Sequence, residues 1–272
     1  MRSQALSRQT PMKPLPNLDT YAGDPNFVLS LARGLRVIES FEGRTGGMTV
    51  AEVATAAEIS RAAARRLLLT LQTLDYVESS RRIYTLKTRT LKLGFSYLSS
   101  TSMVAAAQPI LEQITETLHE SASMSVLNGD QIIYVARSVA SRVMSVGLSV
   151  GSRLPAYCTS MGRVLLAACS EAELDDYLRH LKPERHTWKT IVGKALLRRA
   201  IVQARADGHS IVDGELEIGL RAVAVPVRTR NGRVAAAINV GAHALRVEQK
   251  DMVRRFLPVL KQQAAALSLL LI

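Results

Sequence analysis

No Asp or Glu occurs between Ser60 and Thr73, yet that stretch carries Arg61, Arg65 and Arg66. On a helix, Arg61 and Arg65 stand one turn apart with Arg66 beside them. A guanidinium presents a rigid fork of donors that matches guanine O6 and N7 in a major groove, or the oxygens of a phosphate. Ser60 and Arg66 are suited to holding phosphates. A second basic pair, Arg81-Arg82, lies at the tip of an alternating segment and can reach a flanking backbone or minor groove. Thr49 and Ala62 complete the positions expected to face DNA. The sequence leaves open which arginine reads a base and which holds phosphate. Taken alone, such a cluster is an ordinary solvated helix face, so the surrounding elements decide.

A groove-reading helix needs a short turn before it, a polar outer face and an inner apolar stripe. Asp24-Pro25 reads as a cap and first turn. Phe27, Leu31, Leu35, Ile38 and Phe41 then fall at helical spacing, until glycines at 43, 46 and 47 end the helix. Thr49-x-x-Glu52 is a capping-box pattern for a short helix over 50–57, with Val53 and Ala54 inward. Glu58-Ile59-Ser60 is a tight connection. A third helix over 61–74 carries the stripe Ala64, Leu67, Leu68, Leu71 and Leu74. Tyr76–Glu78 and Ile83–Leu86 read as a small hairpin with a basic tip. Helix, helix, turn, helix, hairpin is the order of a winged helix-turn-helix.

Beyond it, residues 88–120 read as two helical pieces broken at Ser99–Ser102, with Pro109 in the early turns of the second or at a kink. Ser123–Leu127 and Ile132–Ser138 flank the hairpin turn Asn128-Gly129-Asp130. Val143–Leu148 reads as a third strand. Helices are expected over 160–169, over 171–180 behind the box Ser170-x-x-Glu173, and over 194–207 up to Gly208. Arg221–Arg228 and Arg233–Val240 flank a second turn, Asn231-Gly232, and an amphipathic helix follows over 247–270. The expected class is α+β, a mainly antiparallel sheet with helices outside it, of sensor type.

The chain has 272 residues, 47% apolar and 21% charged, a globular balance with room for two domains. Its net charge of +12 favours a polyanionic partner. Residues 1–100 and 101–272 each carry an excess of six basic groups, so the excess is denser in the first part. Residues 1–24, with Pro11, Pro14 and Pro16, read as a flexible basic tail. No apolar run is long enough for a membrane span, and no secretory signal is visible. A reduced, cytoplasmic setting is the simplest expectation for two cysteines, Cys158 and Cys169, spaced as neither a disulfide framework nor a metal site.

Catalytic patterns are weak. Gly147-Leu-Ser149-Val-Gly151 matches G-x-S-x-G, and Asp213 and His243 follow in hydrolase order. A nucleophile elbow needs a helix directly after the serine, which Pro155 disfavours. The five histidines form no ligand pair, and there is no Walker loop and no GxGxxG. No enzyme activity, cofactor or metal is expected; a soluble serine hydrolase is the alternative class.

Three stretches carry a family resemblance: Ser30–Ile38 (SLARGLRVI), Ile59–Leu68 (ISRAAARRLL) and Gly151–Ala167 (GSRLPAYCTSMGRVLLA). With Gly214–Arg221 (GELEIGLR), they resemble the IclR family of bacterial transcription regulators over residues 26–270. Within it the chain is most similar to the β-ketoadipate-pathway regulators that respond to protocatechuate, 4-hydroxybenzoate or β-ketoadipate. The resemblance implies a DNA-binding winged helix-turn-helix over 25–87, a linker helix over 88–100 and a GAF-like effector-binding domain over 101–272, behind the tail 1–24. It also implies a homodimer, paired in some members into a tetramer, on a double-stranded palindromic operator. Transcription regulation in aromatic hydrocarbon catabolism, governed by an aromatic or keto carboxylic acid, is the expected function. The alternative is a family member sensing another small organic acid.

Carried over by position, the family's pocket falls on Val146, Ser160, Met161, Asp213, Ala222, Asn239 and Gly241. Members that take glyoxylate-like acids tend to have Gly and Ala at 160 and 161, Cys at 222, and Ser at 239 and 241. The polar set differs here, which argues against two-carbon acids. Independently, Thr159 or Ser160 begins a helix whose free N–H groups suit a carboxylate. Asn239 can orient a hydroxyl or keto oxygen, and Val146, Met161 and Ala222 can form an apolar wall. Thr159 and Ser160 could instead simply cap the helix. Asp213 serves either a ligand hydroxyl or an arginine such as Arg221.

Overall fold

The computed structural model describes residues 17–21, 23–93, 102–140 and 148–271. They form two compact units, one up to residue 93 and one from residue 102.

In the first unit, α1 (Leu29–Glu39), α2 (Val50–Ala56) and α3 (Arg61–Thr73) precede a hairpin of β1 (Val77–Ser80) and β2 (Ile83–Leu86). Val37, Phe41, Met48, Val53, Ala57, Ala64, Leu68, Leu71 and Val77 form its core. The capping box at Thr49 and Glu52 is present in full. Both ends of the helix-turn-helix close in a Schellman arrangement without glycine. Glu58 (φ 54°) lets the Ile59 N–H reach the Ala54 carbonyl at 3.0 Å. Asp75 (φ 67°) lets the Tyr76 N–H reach the Leu71 carbonyl at 2.8 Å. Each left-handed carboxylate is paired, Glu58 with Arg36 and Asp75 with Lys87. Met48 and Tyr84 exchange backbone hydrogen bonds at 2.9 and 2.8 Å, which adds a third short run to the hairpin. Gly47 allows this, because a Cβ there would stand 2.6 Å from the Tyr84 carbonyl oxygen.

The first helix differs from expectation. It begins at Leu29 behind Val28, and Asp24 Oδ1 instead accepts the Asn26 N–H at 2.8 Å in an Asx turn. Its buried residue is Val37, with Phe41 buried just past its end, while Leu31 and Leu35 are 61% and 46% exposed. Gly34 faces α3, since a Cβ there would stand 3.9 Å from Leu67 Cδ2, an ordinary packing distance. Ahead of Asp24, Leu18–Tyr21 form a 3-10 turn, and Tyr21 stacks on Phe27. After the hairpin come a 3-10 turn (Thr88–Thr90) and helical residues 91–93. The rest of the expected linker helix lies outside the described residues.

The second unit is a six-stranded antiparallel sheet in the order β5-β4-β3-β8-β7-β6. Its strands are β3 (Ser121–Asn128), β4 (Gln131–Ser138), β5 (Arg153–Pro155), β6 (Ser210–Asp213), β7 (Leu220–Arg228) and β8 (Val234–His243). The hairpin at Gly129-Asp130 and the one around Asn231-Gly232 sit where the turn residues put them. The two edge strands, β5 and β6, were not anticipated. Of the strand expected over 143–148, only Leu148 is described, and it is not in a strand.

One face of the sheet packs on α4 (Ser102–Leu118, with Pro109 inside it) and α9 (Leu257–Leu270). The segment α8 (Gln249–Asp251) and a π turn (Met252–Phe256) lead into α9 and bury Met252 and Phe256. The other face packs on α5 (Ser160–Ala167), which is in turn covered by α6 (Glu171–His180) and α7 (Lys194–Asp207). Every residue of α5 is buried, Ser160 and Arg163 included, as befits a helix enclosed by sheet and helices.

Candidate DNA interface and effector pocket

The side of α3 turned from the core carries Arg61, Ala62, Arg65, Arg66 and Leu69, all exposed. Their spacing places them on one stripe, opposite Ala64, Leu68 and Leu71. Ser60 caps the helix by accepting the Ala63 N–H at 3.2 Å, which fixes where the stripe starts. Thr49 is half-buried; its hydroxyl accepts the Glu52 N–H and donates to the Glu52 carboxylate, so it positions α2. In the hairpin, Ser80 pairs with Ile83, leaving Arg81 and Arg82 as a two-residue turn with φ of 50° and 67°. That is a type I′ turn, which Asn and Gly usually occupy. Among the described residues, no carboxylate pairs with Arg61, Arg65, Arg66, Arg81 or Arg82. Five unpaired guanidinium groups on a unit this small make an electropositive surface.

In the second unit the pocket residues belong to the sheet face under α5 and to the start of α5. Residues directly opposed in an antiparallel ladder share a face. Ser121, Gly241, Ala222 and Val212 form one row across β3, β8, β7 and β6. Arg137, Ser123, Asn239, Ala224 and Ser210 form the next, from β4 to β6. Ser125 and Ala237 follow in the row beyond, and the Ser125 hydroxyl donates to Met161 Sδ at 3.2 Å. Met161 therefore seats the first turn of α5 on β3.

Thr159 is the cap of α5. Its Oγ1 accepts the Gly162 N–H at 3.2 Å and donates to the Pro155 carbonyl at 3.0 Å. The capping alternative thus describes Thr159, whose hydroxyl is committed. Ser160 is different, because its Oγ is buried and has no partner. Gly162 lets α5 approach the preceding loop, for a Cβ there would stand 2.2 Å from the Ala156 carbonyl oxygen. Arg163 locks the helix further. Its Nη2 meets Glu215 Oε2 at 2.7 Å and its Nε donates to the Tyr157 carbonyl at 3.0 Å, with both side chains almost wholly buried.

Asp213 does not join the pocket. It pairs with Arg221 in the ladder, and alternation turns both to the face opposite Ala222. Its carboxylate meets Lys189 Nζ at 2.8 Å and Arg221 Nε at 2.9 Å. The hydrogen bond from Lys189, and then that from Arg221, hold its carboxyl below the usual range. Val212, one residue earlier, occupies the Ala222 row instead. Val146 lies outside the described residues. Arg137 and Ser123, which sequence reasoning missed, stand beside Asn239; no local motif marks either.

The hydrolase alternative fails on geometry. Ser149 is exposed, its N–H donates to Ser152 Oγ at 2.9 Å, and the segment runs on into β5 rather than a helix. Burial pushes the Cys158 thiol up to about 12, which keeps it protonated and inert. Among the described residues no cluster of His, Cys, Asp and Glu could hold a metal, and no helix is long and apolar enough to cross a membrane.

A winged helix-turn-helix with an arginine-lined third helix, joined in one chain to an α+β sensor unit, defines a DNA-binding transcription regulator. Residues 30–81 match the IclR helix-turn-helix domain and residues 95–269 the bacterial transcriptional regulator IclR C-terminal domain. The chain belongs to the IclR family, and it is a regulator rather than an enzyme. It is 46% identical to the Pca regulon regulatory protein of Pseudomonas putida over 95% of this chain and 89% of that protein. A putative transcriptional regulator from Rhodococcus, 46% identical, superposes with a TM-score of 0.81 over 90% of this chain and 98% of that one. The inducer-binding domain of an Acinetobacter PobR double mutant, solved with 3-hydroxybenzoic acid, is 29% identical. Its TM-score is 0.57 over 60% of this chain and 95% of that one.

Proposed function

We propose that this regulator binds a palindromic operator as a homodimer in the cytoplasm and governs aromatic-acid catabolism in response to a small hydroxylated aromatic carboxylate. The observation that carries the DNA half is the exposed, carboxylate-free stripe of Arg61, Arg65 and Arg66 on α3. In this reading α3 enters the major groove, with Arg61 and Arg65 at base edges. Ser60, Ala62, Arg66 and the start of α2 at Thr49 lie along the backbone, and Arg81 and Arg82 contact flanking phosphates. The effector half rests on the face under α5, where Ser160, Met161, Ala222, Asn239 and Gly241 lie on or above rows that mix small apolar residues with Ser121, Ser123 and Ser210. Thr159 positions the helix terminus rather than touching the ligand. The 3-hydroxybenzoic acid bound to the PobR inducer-binding domain supports the same effector class.

The test is fluorescence anisotropy with promoter fragments, with and without protocatechuate, 4-hydroxybenzoate and β-ketoadipate. Preference for one fragment over scrambled DNA, altered by protocatechuate or 4-hydroxybenzoate, is the expected result. Equal affinity for all fragments, a response to β-ketoadipate alone, or affinity that no acid changes alongside no acid-induced rise in Tm, refutes the reading.

A further inference from the structure

Among the described residues, the effector face holds a cation, Arg137, whose charge no carboxylate answers. Arg137 is the third residue from the end of the β3–β4 hairpin's second strand to point under α5, and a bulge puts it there. From Asn128↔Gln131 to Ser125↔Tyr134 the ladder runs in register. It then shifts, so that Met124 faces Ala136 and Ser123 faces Arg137. Val135 is the extra residue, and both it and Ala136 pack into the α4–α9 core. Without the shift Arg137 would be directed to that core, where a guanidinium has no tolerable place. With it, Arg137, Ser123 and Asn239 lie side by side on three adjacent strands.

The guanidinium Nε is shut off from solvent and makes no hydrogen bond. Among the described residues no carboxylate pairs with it. The charged groups of α5 and β6 are already committed. Arg163 of α5 is bound to Glu215, and Asp213 is bound to Lys189 and Arg221 on the opposite face. Burial lowers the pKa of Arg137, the direction expected of a desolvated cation without a counter-ion. A second unsatisfied polar group, Ser160 Oγ, is buried at the start of α5, the helix that covers this face.

Resting on the effector reading above, we infer that Arg137 is the counter-ion of the effector's carboxylate, with Asn239 taking a polar substituent of the ligand two strands away. Two strand spacings separate their backbones by about 10 Å, a span that two inward-reaching side chains close around a single ring. The forked donors of Arg137 select a planar carboxylate, and Ser123 between them is available to either end of the ligand. The site thereby prefers a ring carrying an acid at one end and a hydroxyl at the other over the neutral amide of the same ring.

The experiment measures binding of 4-hydroxybenzoate, protocatechuate and neutral 4-hydroxybenzamide to the full chain by calorimetry, for the wild type, Arg137→Gln and Arg137→Lys. Wild type is expected to prefer acid over amide. Arg137→Gln should weaken the acid roughly 30-fold or more while leaving the amide nearly unchanged, and should not lower the ligand-free Tm. Arg137→Lys should keep the preference for acid at reduced affinity. An unchanged acid-to-amide ratio in Arg137→Gln overturns the assignment and leaves the effector reading standing. A ligand-free Tm that falls in both variants makes Arg137 structural and also overturns it. If wild type binds neither acid, the effector reading fails and this assignment falls with it.

Discussion

Replacing Arg81-Arg82 with Asn-Gly should make the DNA-binding unit more stable and bind DNA less well. Both arginines hold left-handed φ values, 50° and 67°, in a two-residue turn. An ordinary L-residue in that region costs about 1–2 kcal/mol. Asn tolerates it and Gly carries no steric penalty, although Gly costs about 0.5–1 kcal/mol in chain entropy. The net gain is about 1–2 kcal/mol, which in a unit of this size raises Tm by roughly 4–16 °C. DNA binding moves the other way. If both arginines neutralise phosphates, removing them lessens the slope of log K against log salt by about 1.8 per protomer. Thermal unfolding followed by circular dichroism reads the first effect, and anisotropy from low to moderate salt reads the second. A Tm that does not rise refutes the claim that the turn is strained. A salt slope that stays the same refutes the claim that the hairpin tip touches the backbone. Both outcomes in the predicted directions would mean that a less stable turn persists because its charges act elsewhere.

Arg65→Ala should weaken specific operator binding by about 1–3 kcal/mol if Arg65 reads a base; an equal loss on scrambled DNA would assign it to phosphate. Breaking the buried pair with Arg163→Met should destabilise the sensor unit by about 3–5 kcal/mol, because it strands the Glu215 carboxylate. Adding Glu215→Leu should recover most of that loss, and chemical denaturation of the two variants checks it; equal stability of the single and double variants would show that Glu215 is hydrated when unpaired. Lys189 and Arg221 hold the Asp213 carboxyl below its ordinary 3.8, so its stabilising contribution is complete above that value. It disappears as pH falls through the lower folded value. The stability difference between wild type and Asp213→Asn should therefore be flat from neutral pH to about 5 and shrink below 4, and a difference that grows on acidification would reverse the sign of the argument.

The helix-turn-helix was legible because its signals are local. Thr49, Glu52, Ser60 and the stripe of α3 each act within one or two turns, so propensity, capping and pattern agree. Helix α1 was misread in rotation because Gly34, not a large apolar residue, faces α3, and hydrophobic spacing does not register a glycine. The edge strands β5 and β6 are three and four residues long, too short for alternation to stand out. Of the two roles open to Asp213, pairing with Arg221 holds and pocket membership does not, for a sharper reason. The side-chain period of a strand is two, so an assignment one residue out lands on the wrong face, and Val212 holds the place given to Asp213. Arg137 was invisible because its direction depends on the bulge at Val135. Counting back from the Gly129-Asp130 turn with an unbroken ladder turns Arg137 away from Ser123, and nothing in the local sequence announces the shift.

An unanswered cation beneath α5 gives the effector something to change. A ligand shifts a conformational equilibrium only by its differential affinity for the two states. In the ligand-free sensor the Arg137 guanidinium is partly desolvated and its Nε unsatisfied, so the arrangement that buries it is disfavoured. A carboxylate reverses the sign of that term, because the same burial strengthens a charged pair once both members are present. The Ser160 hydroxyl and the unpaired N–H groups at the start of α5 would add to the preference, since α5 is fixed to the sheet by Met161 and to the β6–β7 loop by Arg163. A state closed around the acid is then favoured over a looser one by an amount set chiefly by Arg137. By reciprocity, operator DNA that prefers either state must change the affinity for the acid by the same factor. Arg137→Gln should therefore lower the acid's effect on DNA affinity in parallel with its own binding, while DNA affinity without acid remains near that of the wild type. Coupling that survives intact in that variant would mean that the energy of the switch resides in some other contact.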